Sequence, residues 1–258
     1  MSCRAARVAV TLLALGAAPL AAQTESALAA PLPAFKAGET LVYEAKYGIF
    51  KVGTAMLHVA GIDTIRNAPM LHTVFVIKGG IPLYRLNDRM DSWFGLRDFA
   101  SRRFVQDFHE GGSRRYTAYE IFPDSGFYRQ EGVDSTLATS ADPLDDLAFF
   151  YFARAHPLEV GSQYRFERYF RPDRNPVILT VVERDTLDVP AGRFPTIVVR
   201  PTVQGRGILA ESSDPRMWIS DDERRLIVQL KSKFSFGTIT LVLKEIATAP
   251  PEDLLGGS

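Results

Sequence analysis

The stretch Gly38-Glu-Thr-Leu-Val-Tyr-Glu-Ala-Lys-Tyr-Gly48 decides the fold of this chain. Within it, Leu41, Tyr43, Ala45 and Tyr47 alternate with polar or mixed residues. Successive side chains of a β-strand point to opposite faces, so this period of two is typical of a strand with one buried face. The stretch therefore predicts a half-buried strand near the start of the folded domain.

The same alternation extends outward along the chain. Tyr164, Phe166 and Phe170 alternate with charged residues, and turn signals such as Gly79-Gly80 and Gly111-Gly112 separate the apolar runs. Strands that recur about every 10 to 14 residues with short links favour antiparallel meanders. The sequence therefore predicts a mainly β fold, a curved antiparallel sheet that forms a barrel or half-barrel. The further strand candidates are residues 51–60, 70–78, 83–94, 99–109, 114–122, 126–131, 176–184, 194–203, 215–220, 225–233 and 236–246.

One segment carries helix signals instead. Asp142 can cap a helix, Pro143 suits the first helical position, and Pro157 ends the pattern, so a helix is predicted over about 143–155. Phe149 and Phe150 lie outside the apolar stripe of this helix, so the helix is apolar on most of its circumference. Such a helix must be buried on more than one side. We expect this helix to pack on the concave side of the sheet as a plug or latch. The alternative is that Phe149 or Phe150 meets a neighbouring loop. The stripe consists of Leu144, Leu147, Ala148, Tyr151, Phe152 and Ala155.

The start of the chain reads as a secretory signal peptide over residues 1–22, with Arg4 and Arg7 before an apolar run and Ala21 and Ala22 after it. Residues 23–34 and 248–258 are small, Pro-containing and aperiodic, which is typical of a disordered linker and a disordered tail. Residues 35–247 form one β-rich domain by this division. We expect an exported product, periplasmic or secreted, that is soluble after signal cleavage.

Composition excludes several classes of function. The chain has 30 Lys and Arg against 30 Asp and Glu, so it lacks the positive field that collects nucleic acid. Its single cysteine, Cys3, lies in the signal segment, which removes disulfides and thiolate chemistry from the mature protein. No second apolar span follows the signal segment, so we expect no transmembrane anchor. No cysteine stands directly after the apolar run of the signal segment, so we expect no lipid tether.

No catalytic motif stands out. The histidines His58, His72, His109 and His156 are isolated, and neither a His-x-x-x-His spacing nor a Gly-x-Ser-x-Gly elbow occurs, so the sequence predicts no metal and no cofactor.

Two other sets of polar residues leave alternatives open. Asp88 and Asp91 lie beside Trp93, which suits a sugar platform with paired acids, but a strand that alternates a packed Trp with solvated acids explains the same residues. The arginine pairs 102–103 and 114–115 suit anionic headgroups or cross-strand ion pairs. Arg168 shares an apolar face, where it needs a partner or marks a site.

Four motifs resemble the bacterial exported proteins grouped as domain of unknown function 3108. They are Gly38-Glu-Thr-Leu-Val-Tyr43, Asp145-Asp-Leu-Ala-Phe-Phe-Tyr-Phe-Ala-Arg154, Asp188-Val-Pro-Ala-Gly-Arg-Phe194 and Met217-Trp-Ile-Ser-Asp-Asp222. The matches run from about residue 36 to 246, and the resemblance implies no catalytic residue. The expected architecture is also similar to that of periplasmic lipoprotein-sorting carriers, whose half-barrels shelter acyl chains.

These observations predict a noncatalytic envelope protein that binds a lipid, an acyl chain or a glycolipid. The first alternative is a structural or assembly factor that acts through an envelope protein partner, and the second is a carbohydrate-active hydrolase. The residues expected to bind the ligand, with the helix as a displaceable lid, are Phe149, Phe152, Tyr164, Phe166, Arg168 and Phe170.

Overall fold

A computed structural model describes residues 35–81, 84–205, 209–234 and 237–255. The signal peptide and the linker predicted from the sequence lie outside the described residues. The strands are β1 Thr40–Tyr47, β2 Phe50–Ile65, β3 Ala68–Ile81, β4 Tyr84–Phe94, β5 Ser101–Glu110, β6 Ser113–Phe122, β7 Phe127–Gln130, β8 Thr136–Ala138, β9 Gln163–Phe166, β10 Val177–Val189, β11 Gly192–Thr202, β12 Arg216–Ser220, β13 Ile227–Phe234 and β14 Gly237–Ala247. The helices are α1 Asp146–Ala155 and α2 Glu252–Leu255.

All the strands belong to one antiparallel sheet with the order β8-β7-β6-β5-β4-β3-β2-β1-β14-β13-β12-β11-β10-β9. The first and last strands of the domain pair at its centre, where Tyr43 of β1 lies opposite Leu243 of β14. The sheet does not close, because β8 and β9 form its two edges. The predicted mainly β, curved antiparallel architecture is confirmed, in its open, half-barrel form.

Tight turns link the strands as the sequence indicates. Arg66 and Asn67 both adopt positive φ between β2 and β3, as do Gly111 and Gly112 between β5 and β6, which matches the right-handed twist of the flanking strands. The turn predicted at Gly79-Gly80 is wrong, because β3 continues through both glycines to Ile81.

The helix begins later than predicted. Asp145 is its N-cap, and the Oδ1 atom of Asp145 accepts hydrogen bonds from the backbone N–H groups of Leu147 and Ala148. The predicted start at Pro143 is therefore wrong. Leu144 instead bridges to Tyr169 outside the helix.

Two irregular segments, residues 139–144 and 168–170, join the β8 side of the sheet to the β9 side. The backbone N–H of Phe170 donates to the carbonyl of Leu144 at 2.9 Å, and the Thr139 hydroxyl donates to the carbonyl of Phe170 at 2.7 Å. Ser140 donates in the same way to the carbonyl of Tyr169 at 2.8 Å. These bonds tie the segment that leads into the start of α1 to the segment that follows β9.

The core lies between α1 and the concave face of the sheet. Every residue of α1 from Leu147 to Arg154 is buried. The helix and the inward-facing side chains of the strands form one hydrophobic cluster. The expected position of the helix on the concave side is confirmed.

The tail predicted as disordered contains an ordered turn. Residues 252–255 form α2, and Leu254 is buried against Met56, Val74 and Val76. These three partners alternate with the inward-facing residues of β2 and β3, so α2 covers the convex face of the sheet.

Candidate functional site

Five of the six side chains expected to bind a ligand lie together between α1 and β9. The Phe152 ring stands 5.0 Å from the Phe166 ring, edge to face, and 6.4 Å from Phe149. Tyr164 is joined to this group through His156, 4.4 Å away. We name Phe99, Phe149, Phe152, His156, Tyr164 and Phe166 the α1–β9 aromatic cluster.

The α1–β9 aromatic cluster runs from the core to the surface. Phe149 and Phe152 are almost fully buried, at 1% and 4% exposure. His156, Tyr164 and Phe166 are half-buried. Since β9 is an edge strand, this cluster is where the apolar interior meets solvent at the open side of the sheet.

Arg168 lies on this cluster and has protein partners. Its guanidinium carbon stands 5.0 Å above the Phe152 ring, in a cation–π arrangement. Its Nε and Nη2 atoms donate to the backbone carbonyls of Asp142, at 2.7 Å, and Asp98, at 2.5 Å. The arginine on an apolar face thus ties the segment before α1 and the β4–β5 loop to the residues that follow β9.

The remaining predicted residue, Phe170, lies elsewhere. Its ring stands 5.1 Å from Tyr119, 5.3 Å from Tyr128 and 6.2 Å from Phe104, on strands β5 to β7. The expectation that Phe170 shares a face with Tyr164 and Phe166 is wrong, because β9 ends at Phe166 and the following residues pair with the segment before α1.

His156 is the titratable member of the cluster. Burial, and then the nearby charge of Arg168, lower the pKa of its imidazole to about 4. Its Nε2 atom is buried and has no hydrogen-bond partner. A neutral imidazole at the edge of an aromatic cluster is compatible with an apolar ligand and adds no charge that would need to be solvated.

Polar groups anchor the start of α1. The carboxylate of Asp145 accepts a hydrogen bond from the Ser92 hydroxyl at 2.6 Å, and the backbone N–H of Asp145 donates to Ser101 at 3.0 Å. Burial raises the pKa of Asp145 to about 6, although the hydrogen bonds from Ser92 and the backbone of Ala148 lower it.

The end of α1 is anchored by Arg154. Its Nη1 and Nη2 atoms donate to the two carboxylate oxygens of Glu39 at 2.7 and 3.1 Å, and its Nε donates to the carbonyl of Arg225 at 2.8 Å. Sequence reasoning missed this pair, although both residues lie in the motifs that carry the family resemblance. The helix is therefore held by polar contacts at its ends and by apolar contacts along its middle.

Asp88 and Asp91 do not form one site. They are three residues apart in β4, so they lie on opposite faces of the sheet. Asp91 accepts hydrogen bonds from Arg89 and lies 2.9 Å from His72, which stacks on Trp93 on the convex face. The predicted grouping of both acids with Trp93 is therefore wrong.

Asp88 lies on the concave face of the sheet and has a different partner. It is 8% exposed and accepts a hydrogen bond from the backbone N–H of His109 at 2.9 Å. Burial, reinforced by the charge of Glu110, raises the pKa of Asp88 to about 7. Asp88 thus retains its proton to near neutral pH, with the carboxyl group of Glu110 close by.

One arginine of each pair forms a cross-strand ion pair, which agrees with one of the two interpretations of the sequence. Arg114 donates to Asp107 at 2.9 Å, and Arg103 lies 3.2 Å from Glu120. Arg103 and Glu120 also line a groove of about 420 Å³ on the convex side, together with residues 129–134.

The described residues contain neither a helix suited to cross a membrane nor a cluster of metal-ligating side chains. None of the helices there has both the length and the apolar run needed to cross a membrane. Within the same ranges, no group of three or more His, Cys, Asp or Glu side chains is placed to hold a metal ion.

Comparison with known proteins places this fold among proteins without an assigned activity. A family model described as a protein of unknown function, DUF3108, matches residues 42–244. The chain is similar to a solved β-barrel-like protein of domain of unknown function DUF1849 from Brucella abortus, at 9% identity and a TM-score of 0.51, over 81% of this chain and 96% of that chain. At this identity the likeness concerns the fold alone.

Two more solved structures show weaker likeness. One is a Parabacteroides distasonis protein provisionally named a lipoprotein, at 8% identity and a TM-score of 0.35, over 82% of this chain and 95% of that chain. The other is a Bacteroides fragilis protein with a YmcC-like fold, provisionally named an exported protein, at 11% identity and a TM-score of 0.31, over 84% of this chain and 99% of that chain. No curated protein matches the sequence.

Proposed function

The chain belongs to the DUF3108 family of proteins of unknown function, and from that premise we propose that it is an exported, noncatalytic envelope protein that binds the apolar part of a lipid or other amphipathic molecule on the concave side of its sheet. The observation that carries the proposal is the burial of α1 on all its sides within an apolar concavity. A concavity that accommodates the 10 residues of this helix can accommodate an acyl chain in its place.

The energetics of such binding need no catalytic polar group. Each methylene removed from water contributes about 0.8 kcal/mol, so a chain of about a dozen carbons supplies about 10 kcal/mol before ordering costs. The displaced helix loses comparable apolar contacts. Net binding therefore requires that part of the apolar surface of α1 stay buried when the helix moves.

The α1–β9 aromatic cluster is the proposed route of access. Phe152 is the buried contact that links α1 to β9, whereas Tyr164 and Phe166 already reach solvent. Movement of Phe152 away from Phe166 would open the concavity at the edge strand while the hydrogen bonds of Asp145 still hold the start of the helix. In this proposal Phe152 is the lid contact, and Arg168 orients it.

The experiment is native mass spectrometry followed by organic extraction, on mature protein exported by its own leader and purified without detergent. We expect a stoichiometric lipid or glycolipid that is retained less well by Phe152→Ala. Phe170→Ala is the matched control, because it removes a similarly buried ring that contacts strands β5 to β7 and lies outside the α1–β9 aromatic cluster. Equal retention in Phe152→Ala and the wild type, with the fold intact by circular dichroism, would exclude the lid.

A clean apo mass in every preparation would contradict lipid binding. If one envelope protein then co-purifies, the result would favour a structural or assembly factor instead. The short edge strand β8, whose three residues are all exposed, is the element that a partner strand could extend.

A second candidate function, a carbohydrate-active hydrolase, is favoured by Asp88 and Glu110. A glycosidase needs one carboxyl group that stays protonated near neutral pH and a second that is ionised. The test is release of soluble fragments from labelled envelope glycan. Asp88→Asn should abolish the release and Asp107→Asn, in the adjacent strand, should not; no release by the wild type would exclude this function.

A further inference from the structure

The β1–β2 hairpin exposes two large apolar side chains at its tip. Gly48, with φ at 59°, and Ile49 form the two-residue turn between Tyr47 and Phe50. Ile49 is 87% exposed and Phe50 is 68% exposed, the two highest values among the exposed large hydrophobic residues of the described chain. Neither belongs to a hydrophobic cluster of the fold. Folding therefore does not explain why both positions are apolar.

Two neighbouring hairpins end at the same side of the sheet. In sheet order, β13 and β14 lie on one side of the β1–β2 hairpin, and β3 and β4 lie on the other. The last pair of β3 and β4 joins Ile81 to Tyr84, and the last pair of β13 and β14 joins Phe234 to Gly237. The tip of the β1–β2 hairpin therefore lies at the end of the sheet where these two strand pairs also end.

Lysines concentrate on the strand segments next to this tip. Lys231 and Lys46 both lie opposite Thr240 of β14, and Lys46 also lies opposite Lys51. Three lysines thus follow one row across four strands, with Lys233 and Lys78 close by. Five of the seven lysines of the chain therefore lie in this region, although the net charge of the whole chain is zero.

This row is unfavourable for the isolated fold. Like charges directly opposite each other in a sheet repel, and Lys46 and Lys51 share a single partner, Glu44, at 3.5 and 3.6 Å. Placed on the convex face behind an apolar tip, the lysines instead match a layer of anionic headgroups. Apolar side chains at the acyl boundary with lysines at headgroup level are the arrangement of interfacial membrane anchors.

We propose that this end of the sheet, with Ile49 and Phe50 at its tip and the lysine row behind it, docks the protein on the surface of an anionic lipid bilayer. A bilayer fits better than a protein partner, because two protruding side chains fall far short of the roughly 800 Å² per partner that a stable protein interface buries. The inference does not depend on the proposed function, since a protein of any activity could be held at a membrane in this way.

The test is flotation of the mature protein with vesicles of phosphatidylethanolamine and phosphatidylglycerol, compared with vesicles of phosphatidylcholine. We expect binding to the anionic vesicles alone, and this binding should weaken with salt because Lys51, Lys231 and Lys233 are exposed to solvent. The double variant Ile49→Ser/Phe50→Ser should bind at least tenfold more weakly. Its matched control, Ile62→Ser/Leu137→Ser, removes two side chains of 56% exposure elsewhere and should bind as the wild type does.

A charge variant separates the two parts of the surface. Lys51→Gln/Lys233→Gln should weaken binding about fivefold for each lysine removed, whereas Lys36→Gln/Lys244→Gln should leave it unchanged. Failure to float with anionic vesicles, or equal flotation of the tip variant and the wild type, would overturn the proposal. Tip-dependent dimerisation by analytical ultracentrifugation without vesicle binding would also overturn it and assign the tip to a second copy. Lipid extraction from the tip variant tests the proposed function separately, because Ile49 and Phe50 lie outside the concavity.

Discussion

Arg154, in the last turn of α1, forms a buried bidentate ion pair with Glu39, the residue before β1, at 2.7 and 3.1 Å. The Arg154 side chain is only 1% exposed and its guanidinium carbon lies 4.5 Å above the Phe35 ring. The pair connects the helix to the strand at the centre of the sheet. It is therefore the main polar contact that keeps α1 in the concavity.

Removal of the Glu39 charge should destabilise the protein strongly. Glu39→Gln leaves the buried guanidinium of Arg154 without its counterion, and we expect a loss of about 3–5 kcal/mol in the free energy of unfolding. Urea denaturation measures it. Glu167→Gln is the control, because the Arg165–Glu167 pair is 63% exposed on both sides and its loss should cost less than about 1 kcal/mol. Similar losses in the two variants would show that the Arg154–Glu39 pair is not an anchor.

Gly79 and Gly53 should not tolerate a side chain. They face each other across β2 and β3, and a Cβ atom on Gly79 would overlap the carbonyl oxygen of Val52 and lie 2.6 Å from the Cα of Gly53. Gly79→Ala must therefore push the two strands apart, at a cost of about 2 kcal/mol or more. Thermal unfolding measures this cost, and Lys51→Ala, on the exposed face nearby, should cost far less. An unchanged melting temperature of Gly79→Ala would contradict the close approach of the strands.

The sheet could be predicted from the sequence because strand alternation is a local property. Apolar residues at every second position identified the strands that line the concave face, and the Gly111-Gly112 pair identified the turn between β5 and β6. Gly79-Gly80 was misinterpreted because the same pair can mark a turn or a close approach of two strands. These cases are distinguished only by the position of Gly53 opposite Gly79 in the neighbouring strand. A pattern of adjacent residues does not show which residue lies opposite in another strand.

The candidate site was harder to predict because its contacts are remote in sequence. Asp145 rather than Asp142 caps the helix because Ser92 and Ser101, far along the chain, surround it. Phe170 leaves the face of Tyr164 and Phe166 because residues 168–170 pair with the segment before α1. The separation of Asp88 from Asp91, in contrast, could have been predicted, since an odd spacing within a strand places two side chains on opposite faces.

His156 should make the protein less stable in acid. Its pKa in the folded protein is lowered to about 4, so between that pH and the ordinary value of about 6.5 the unfolded chain binds the extra proton. The stability that comes from the neutral imidazole is present above about pH 6.5 and is lost as the pH falls toward 4. Its contribution is about 1–3 kcal/mol, reduced by the partial exposure of the ring.

The measurement for His156 is urea denaturation at pH 4.5 and pH 7.5. His156→Phe keeps an aromatic ring beside Tyr164 and Phe166 but cannot titrate, so it should lose less stability than the wild type between the two pH values. Parallel losses in the two proteins would mean that the buried imidazole does not control acid stability.

Asp88 should have the opposite dependence on pH. Because burial and Glu110 raise the pKa of Asp88 to about 7, the folded protein holds a proton that the unfolded chain releases near pH 4. Stability from this group is present below about pH 4 and is lost as the pH rises through 7. Asp88→Asn stays neutral and can still accept the hydrogen bond from His109, so relative to the wild type it should gain about 1–3 kcal/mol between pH 4 and pH 8. Asp107→Asn is the control and should show no such gain, because the Arg114 guanidinium lowers the pKa of Asp107 and its titration therefore lies below this range. If Asp88→Asn also follows the wild type across this range, Asp88 does not retain its proton near neutral pH, and the acid that the hydrolase candidate requires is not Asp88.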